Sequence, residues 1–348
     1  MERSSSIDLI KICACLGVCT LHFYIREMED LGHFRPDFVL FYIATIAIPL
    51  FFMVNGYLIL SKTRETSYYL KRILNIFKIV FTVNALFYIV VHFIQGQFLI
   101  NPIKKPLIET FKNMFLQEGG FSIFWFFGAL LMIYAILAII PSSYLTTKTI
   151  IIAIITLTFV SLAVNGTNLL SAFYTHTHTH TQVARTLIEA NIPQTFRLYN
   201  HMNYFLIGGL IARNKGKIKE YAKMNAKLYA ILSMLMVTIC IIAAVWKCNT
   251  IYGITRVEHL QCSLITTLGT ISAFYLFMHQ QLHSISQKLI QIFAPCVLMV
   301  YMIHRIVLNY TNIASGALWY NLILFWVILF LIAYPLDKIK FVHEYFKL

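Results

Sequence analysis

Apolar windows of about 20 residues recur from one end of this 348-residue chain to the other. Hydrophobic residues make up 59% of the sequence and charged residues only 12%, and the mean hydropathy is +0.72. This composition is typical of a membrane protein and not of a water-soluble domain. The sequence therefore predicts an all-α polytopic integral membrane protein with about ten transmembrane helices, a single domain over residues 1–348 and no appended soluble domain. The predicted spans are 7–25, 38–60, 73–94, 122–141, 148–164, 198–213, 228–247, 259–279, 291–312 and 317–336.

Basic residues are concentrated in two short segments between predicted spans, residues 61–72 and 213–227. Because short cytosolic loops are enriched in Lys and Arg, this bias predicts that both segments and both termini face the cytosol. The net charge of +14 then needs no nucleic-acid partner, since basic loops beside anionic membrane lipid account for much of it.

Lys11 and His22 lie on one face of the first predicted span. Eleven steps of about 100° return a helix to within roughly 20° of the same direction, about 16 Å further along its axis. Asp8 lies on the flank of this stripe. A charged group at mid-bilayer costs about 3 kcal/mol on insertion scales, so such a stripe normally faces protein or water. The alternative is that Asp8 and Lys11 reach back to the cytosolic interface while His22 only packs between helices.

Six phrases of the sequence, in order, resemble those of a known family. They are SSSIDLIKICACLGVCTLHF (4–23), IPLFFMVNGYLIL (48–60), YYLKRILNIFKIV (68–80), FWFFGALLMIYAILAIIP (124–141), YFLIGGLIA (204–212) and VYMIHRIVL (300–308). Together they resemble the acyltransferase-3 family of bacterial membrane enzymes, which acylate surface polysaccharides, lipopolysaccharide among them, and related glycans.

The family hallmark is a basic residue and a histidine with ten residues between them, and Lys11 and His22 match it, with lysine where arginine is commoner. The phrases also depart from the family pattern. Asn55 stands where serine is typical, Ile123 stands where a histidine is often found, and the customary proline of the third helix is absent. These departures bear on substrate identity more than on the reaction.

The resemblance implies a reaction in which an acyl group, usually acetyl, passes from cytosolic acyl-CoA, a co-substrate, to a glycan hydroxyl at the opposite face of the bacterial inner membrane. His22 is the implied general base, because an unperturbed histidine pKa of about 6.5 suits proton abstraction at neutral pH. Lys11 is expected to bind a CoA phosphate or to stabilise the thioester oxyanion. His304 has a predicted depth similar to that of His22 and is a candidate second base, acceptor ligand or packing residue.

Predicted depth sorts the other polar residues into two groups. Lys and Arg form charge-assisted hydrogen bonds with phosphates, although basic residues at this boundary are ordinary in any membrane protein. The group near the cytosolic side, predicted to bind acyl-CoA, is Arg72, Lys71, Asn55 and Tyr57. The group toward the outer side, predicted to bind the glycan acceptor, is Trp125, His201 and Asn203. For Trp125 the alternative is an ordinary tryptophan at the membrane interface.

A transporter of a glycan or a small solute is the competing hypothesis, because Asp, Lys and His within the membrane also mark transport pathways. Transporters commonly carry internal repeats and paired broken helices. No convincing repeat relates residues 1–170 to residues 171–348, so the family phrases favour the transferase.

The alternating tract Thr175–Thr181 places three histidines in a loop predicted over residues 165–197. In an extended strand all three would point to one side, where they could bind zinc or copper. The simpler interpretation is a linker with no role in the chemistry. The sequence therefore predicts no metal site.

Overall fold

The computed structural model describes residues 4–28, 39–96, 101–119, 121–178, 188–216, 225–247, 260–280, 283–314 and 319–346. These residues form fourteen α-helices joined by turns and short 3-10 or π segments, and no strand. The helices are α1 (Ser5–Met28), α2 (Val39–Ile43), α3 (Ala47–Leu60), α4 (Thr66–Ile94), α5 (Lys104–Phe111), α6 (Trp125–Ile139), α7 (Thr147–His178), α8 (Leu198–Arg213), α9 (Ala226–Trp246), α10 (Leu264–His279), α11 (Ser284–Phe293), α12 (Val297–Tyr310), α13 (Trp319–Lys338) and α14 (Lys340–Tyr345).

Eight stretches of helix in the described residues are long and apolar enough to cross a membrane, which confirms the prediction of an all-α polytopic membrane protein. Each coincides with one of the ten predicted spans. The other two predictions, 198–213 and 259–279, correspond to α8 and α10, which have 16 residues each. At 1.5 Å per residue these two helices are about 24 Å long, somewhat less than the hydrocarbon core of a bilayer.

Two of the eight spans are interrupted near a proline. The span Val39–Leu60 contains a 3-10 turn at Ala44–Ile46, just before Pro49, and the span Ser284–Tyr310 contains one at Ala294–Cys296, around Pro295. Proline lacks the N–H that an α-helical hydrogen bond needs, and its ring crowds the preceding turn. The α-helical ladder is therefore broken at these points, and α3 and α12 begin anew beyond them.

The close approach of α3 and α8 organises the core and depends on glycine. A methyl group on Gly56 would overlap the carbonyl of Phe205, and one on Gly208 would overlap the carbonyl of Met53. Small residues allow helix backbones to approach where apolar burial gives no driving force, as in lipid. The phrases around Gly56 and Gly208 therefore serve helix packing.

Helix α7 corrects the predicted end of the fifth span. The span was predicted to end at residue 164, with a loop over 165–197, but the helix continues to His178. Asn168, which resembles a loop residue in the sequence, is fully buried, and its Oδ1 accepts a hydrogen bond from the backbone N–H of Ile188 at 2.9 Å. The loop boundary was wrong because the polar residue packs within the protein. Only the first part of the Thr-His tract lies within the described residues.

Helix α5 and the π-helical turn that follows it, Lys112–Leu116, were not predicted. Asn113 donates to Asn84 Oδ1 at 2.9 Å, and Asn84 donates to Thr110 Oγ1 at 3.2 Å. All three side chains are buried. Buried amides are stable only when hydrogen-bonded, so this network fixes α5 against α4.

Candidate functional site

Two histidines meet where α1 and α12 run side by side. The ring centroids of His22 and His304 lie 5.2 Å apart. Seven residues earlier on each helix, the Cys15 thiol donates to the Val297 carbonyl at 3.5 Å. Equal spacing in the same direction means that the two helices are parallel and in register over two turns. The similar depth predicted for the two histidines is therefore confirmed.

The position of the His304 ring is fixed by hydrogen bonds on α12. Its Nδ1 lies 2.6 Å from the carbonyl oxygen of Tyr301, and the Tyr301 hydroxyl donates to the Ile123 carbonyl at 2.6 Å. Because a carbonyl only accepts, Nδ1 carries the proton of the neutral ring and Nε2 keeps its lone pair. Within the described part of the chain, Nε2 is buried without a hydrogen-bond partner. His304 is fully buried, whereas His22 is only half-buried.

A cavity of about 490 Å³ lies at one end of the bundle. Its lining combines apolar residues with cations and hydroxyls and comes from six parts of the chain. The polar lining residues are Lys11, Asn55, Arg64, Tyr68, Arg72, Tyr134, Asp337 and His343. Lys11 is on the same face of α1 as His22, about 16 Å away along the helix. Helices α1 and α12 therefore contribute residues both to the cavity and to the histidine pair.

The basic side of this cavity is a ladder of three residues at the start of α4. Tyr68 lies between two guanidinium groups, with Arg64 4.6 Å and Arg72 5.3 Å from the centroid of its ring. Tyr68 and Arg72 are four residues apart and share one face of α4, whereas Arg64 precedes the helix and reaches the Tyr68 ring from the loop before it. Cation–π contacts of this kind hold the guanidinium groups in place and leave their N–H groups able to bind an anion.

Lys11 and Asn55 line the same cavity but have protein partners. Lys11 Nζ lies 3.3 Å from Asp8 Oδ1, and Lys11 keeps 31% of its side chain exposed. Asn55 donates to the Phe51 carbonyl at 2.9 Å and accepts a long hydrogen bond from the Tyr134 hydroxyl at 3.5 Å. Lys11 is thus neutralised in part by Asp8, whereas neither Arg64 nor Arg72 forms an ion pair with a carboxylate among the described residues.

Two residues predicted to bind acyl-CoA lie elsewhere. Lys71 is exposed and does not line the cavity, although its neighbour Arg72 does. Tyr57 lines a second cavity, of about 460 Å³, together with Lys215 and His279. Successive helical residues differ by about 100° and residues two apart by about 200°, so Lys71 and Tyr57 cannot share a face with Arg72 and Asn55 respectively.

The three residues predicted to bind the acceptor are buried by protein packing. His201 stacks on Phe52 at 4.6 Å and lies 5.2 Å from Trp125, and its Nε2 donates to the Gln194 carbonyl at 2.8 Å. Asn203 donates instead to Thr158 on α7, at 3.0 Å. Trp125 is only 6% exposed, so it is not a tryptophan of the membrane interface. Their role in acceptor binding stays a prediction.

The cavity also contains residues that the sequence interpretation missed. Tyr68 could have been found, because it lies four residues before Arg72 at the basic entry to the third predicted helix, and Arg64 is a further cation of the same basic segment. Asp337 and His343 carried no such signal, since nothing local relates the end of the chain to α1 or α4.

One comparison with known proteins identifies a family. The model of the acyltransferase-3 family, described as an acyltransferase domain, matches residues 4–336. No curated protein and no solved structure matches the chain.

Proposed function

Because this chain belongs to the acyltransferase-3 family, and is therefore a membrane acyltransferase, we propose that it moves an acyl group from acyl-CoA to a glycan. The acyl group is acetyl, the donor binds from the cytosol, and the acceptor is a hydroxyl of a surface or lipid-linked glycan at the outer face of the bacterial inner membrane. One observation carries the proposal: a basic cavity and a histidine pair lie on the same two parallel helices.

The charge of the cavity supports acyl-CoA as the donor that binds there. The basic segment 61–72 borders it, and this segment faces the cytosol by the positive-inside rule, as do both termini. CoA carries several phosphate charges, which Arg64 and Arg72 bind through charge-assisted hydrogen bonds, with Lys11 as a third cation of the lining. The long pantetheine arm then extends along α1 past Lys11 and brings the thioester toward His22.

The chemical step assigns a role to each histidine. His22 removes the proton from the acceptor hydroxyl as the hydroxyl oxygen attacks the thioester carbonyl carbon. The C–S bond breaks, the acyl group stays on the glycan oxygen, and the CoA thiolate leaves and takes the proton from His22. His304 Nε2 is free to accept a hydrogen bond from the other ring nitrogen of His22, which would orient that ring and stabilise its charge.

The transporter hypothesis gains no support from the family match. The two hypotheses also differ in whether the protein consumes acyl-CoA. Purified protein should transfer labelled acetyl from acetyl-CoA to a glycan acceptor, with release of free CoA, whereas a transporter would leave the thioester intact. Intact thioester in the presence of a range of glycan acceptors would contradict the proposed function.

Arg72→Gln should raise the KM for acetyl-CoA by about tenfold or more, with a smaller effect on the KM for the acceptor, because one charge-assisted hydrogen bond to phosphate is worth roughly 1.5–3 kcal/mol. Lys71→Gln is the matched control, since it removes the same charge from the adjacent residue, outside the cavity. Steady-state kinetics with varied acetyl-CoA measures both. Equal effects of the two substitutions would move the nucleotide site elsewhere.

A further inference from the structure

The last described residues of the chain form one wall of the basic cavity. Asp337 at the end of α13 and Val342, His343 and Phe346 in and beside α14 all line it. We call residues 337–346 the C-terminal wall. The family match ends at residue 336, so the whole wall lies beyond the segment that matches the family.

The C-terminal wall is held against α4 by side-chain contacts. The Tyr345 hydroxyl is hydrogen-bonded to Thr82 Oγ1, and Lys78 Nζ lies 4.1 Å from the centroid of the Tyr345 ring. Helix α4 also carries Tyr68 and Arg72. The two sides of the cavity are therefore joined through one helix, and the position of the wall relative to the arginines is set by these contacts.

The polar group that the wall presents is an ordered histidine. His343 Nδ1 lies 2.9 Å from Asp337 Oδ1, and the His343 side chain is 41% exposed. The carboxylate accepts the Nδ1 proton and so orients the ring, leaving Nε2 accessible. An imidazole held in this way can hydrogen-bond to a purine or a phosphate and can stack on a planar base.

We infer that the C-terminal wall is part of the acyl-donor site and that His343, which lines the same cavity as the arginine ladder, contacts the phosphoadenosine end of CoA. This rests on the proposed function, because acyl-CoA is the donor assumed. The nucleotide end, rather than the pantetheine arm, fits this position. The His343 side chain is 41% exposed and so lies toward solvent, whereas the arm must extend past Lys11 to reach His22, about 16 Å further along α1.

Three donors test the inference with the full-length protein: acetyl-CoA, acetyl-dephospho-CoA and acetyl-pantetheine. His343→Ala should raise the KM for acetyl-CoA by about fivefold, the loss of one ordinary hydrogen bond, and should leave the KM for acetyl-pantetheine unchanged because that donor has no nucleotide. His283→Ala, which alters an exposed histidine outside the cavity, is the control. If acetyl-dephospho-CoA is affected as acetyl-CoA is, the contact is with the adenosine or its diphosphate. If it is not affected, the contact is with the 3′-phosphate.

An unchanged KM for acetyl-CoA, or an equal rise for acetyl-pantetheine, would overturn the inference. A second measurement does not depend on turnover. In a background cleared of native cysteines, S-ethyl-CoA should protect His343→Cys, but not His283→Cys, from a thiol reagent, and equal labelling rates with and without S-ethyl-CoA would also overturn it. If the unsubstituted protein transfers acetyl from none of the donors, the proposed function fails instead. In that case the labelling rates of His343→Cys with and without S-ethyl-CoA still show whether CoA binds at position 343.

Discussion

His22→Ala should lower acyl transfer by about 10²–10⁴-fold, the usual loss when a general base is removed, while expression and membrane insertion stay intact. The ring is half-buried beside His304. Its loss removes a polar group from the membrane and leaves no charge unpaired, so the fold should tolerate it. Initial rates of acetyl transfer to the glycan acceptor, normalised to purified monodisperse protein, give the result.

The control for this prediction is His92→Ala. His92 also lies on a membrane-spanning helix, and its Nδ1 is hydrogen-bonded to the Tyr88 carbonyl at 2.9 Å. It is distant in sequence from both His22 and His304 and forms no ring contact with either. His304→Ala should also be slow, and the double substitution should be little slower than His22→Ala alone, because groups that act as a unit are not additive. Full activity of His22→Ala, or strictly multiplicative losses, would contradict the assignment.

Gly56→Ala should destabilise the protein by about 3 kcal/mol or more and deplete the folded form from detergent extracts. The added methyl would overlap the Phe205 carbonyl, and because both atoms are on helix backbones the clash is relieved only by separating α3 from α8. Both helices carry residues near the site, so transfer activity should fall with the folded fraction. Thermal unfolding followed by size-exclusion chromatography measures the loss.

Gly166→Ala is the matched control. Gly166 lies within α7, and a methyl group there meets no atom within 4 Å. Alanine is the better helix former by about 1 kcal/mol, so this variant should be as stable as the parent or more stable. If both variants unfolded at the same temperature as the parent, α3 and α8 would not be packed as closely as the structure has them.

The membrane spans could be predicted because hydropathy over about 20 residues reports directly on burial in lipid. The errors arose where side chains face protein. Asn168 resembles a loop residue in the sequence, but it lies on α7 and its side chain is buried within the protein. The buried amides of Asn84 and Asn113 hold α5, a helix that no apolar periodicity predicts. A hydropathy window averages over these asparagines and cannot show which group forms a hydrogen bond with each of them.

Part of the site could also be predicted from helix geometry. Lys11, His22 and Arg72 were predicted from spacing, charge and the family resemblance, and His22 and His304 were predicted to lie at similar depth. Lys71 and Tyr57 do not line the cavity, because residues that are neighbours in sequence point in different directions on a helix. Asp337 and His343 reach the cavity only through packing of the chain end on α4, a long-range contact that a single sequence does not encode in any local pattern.

The most direct test of the central claim compares the masses of surface glycans from otherwise identical cells. One culture has the unsubstituted protein, one lacks it and one has His22→Ala at matched expression. The account predicts glycans heavier by one acetyl group per modified unit only in the first culture. Identical glycan masses in all three cultures, or an undiminished acetyl shift with His22→Ala, would contradict it.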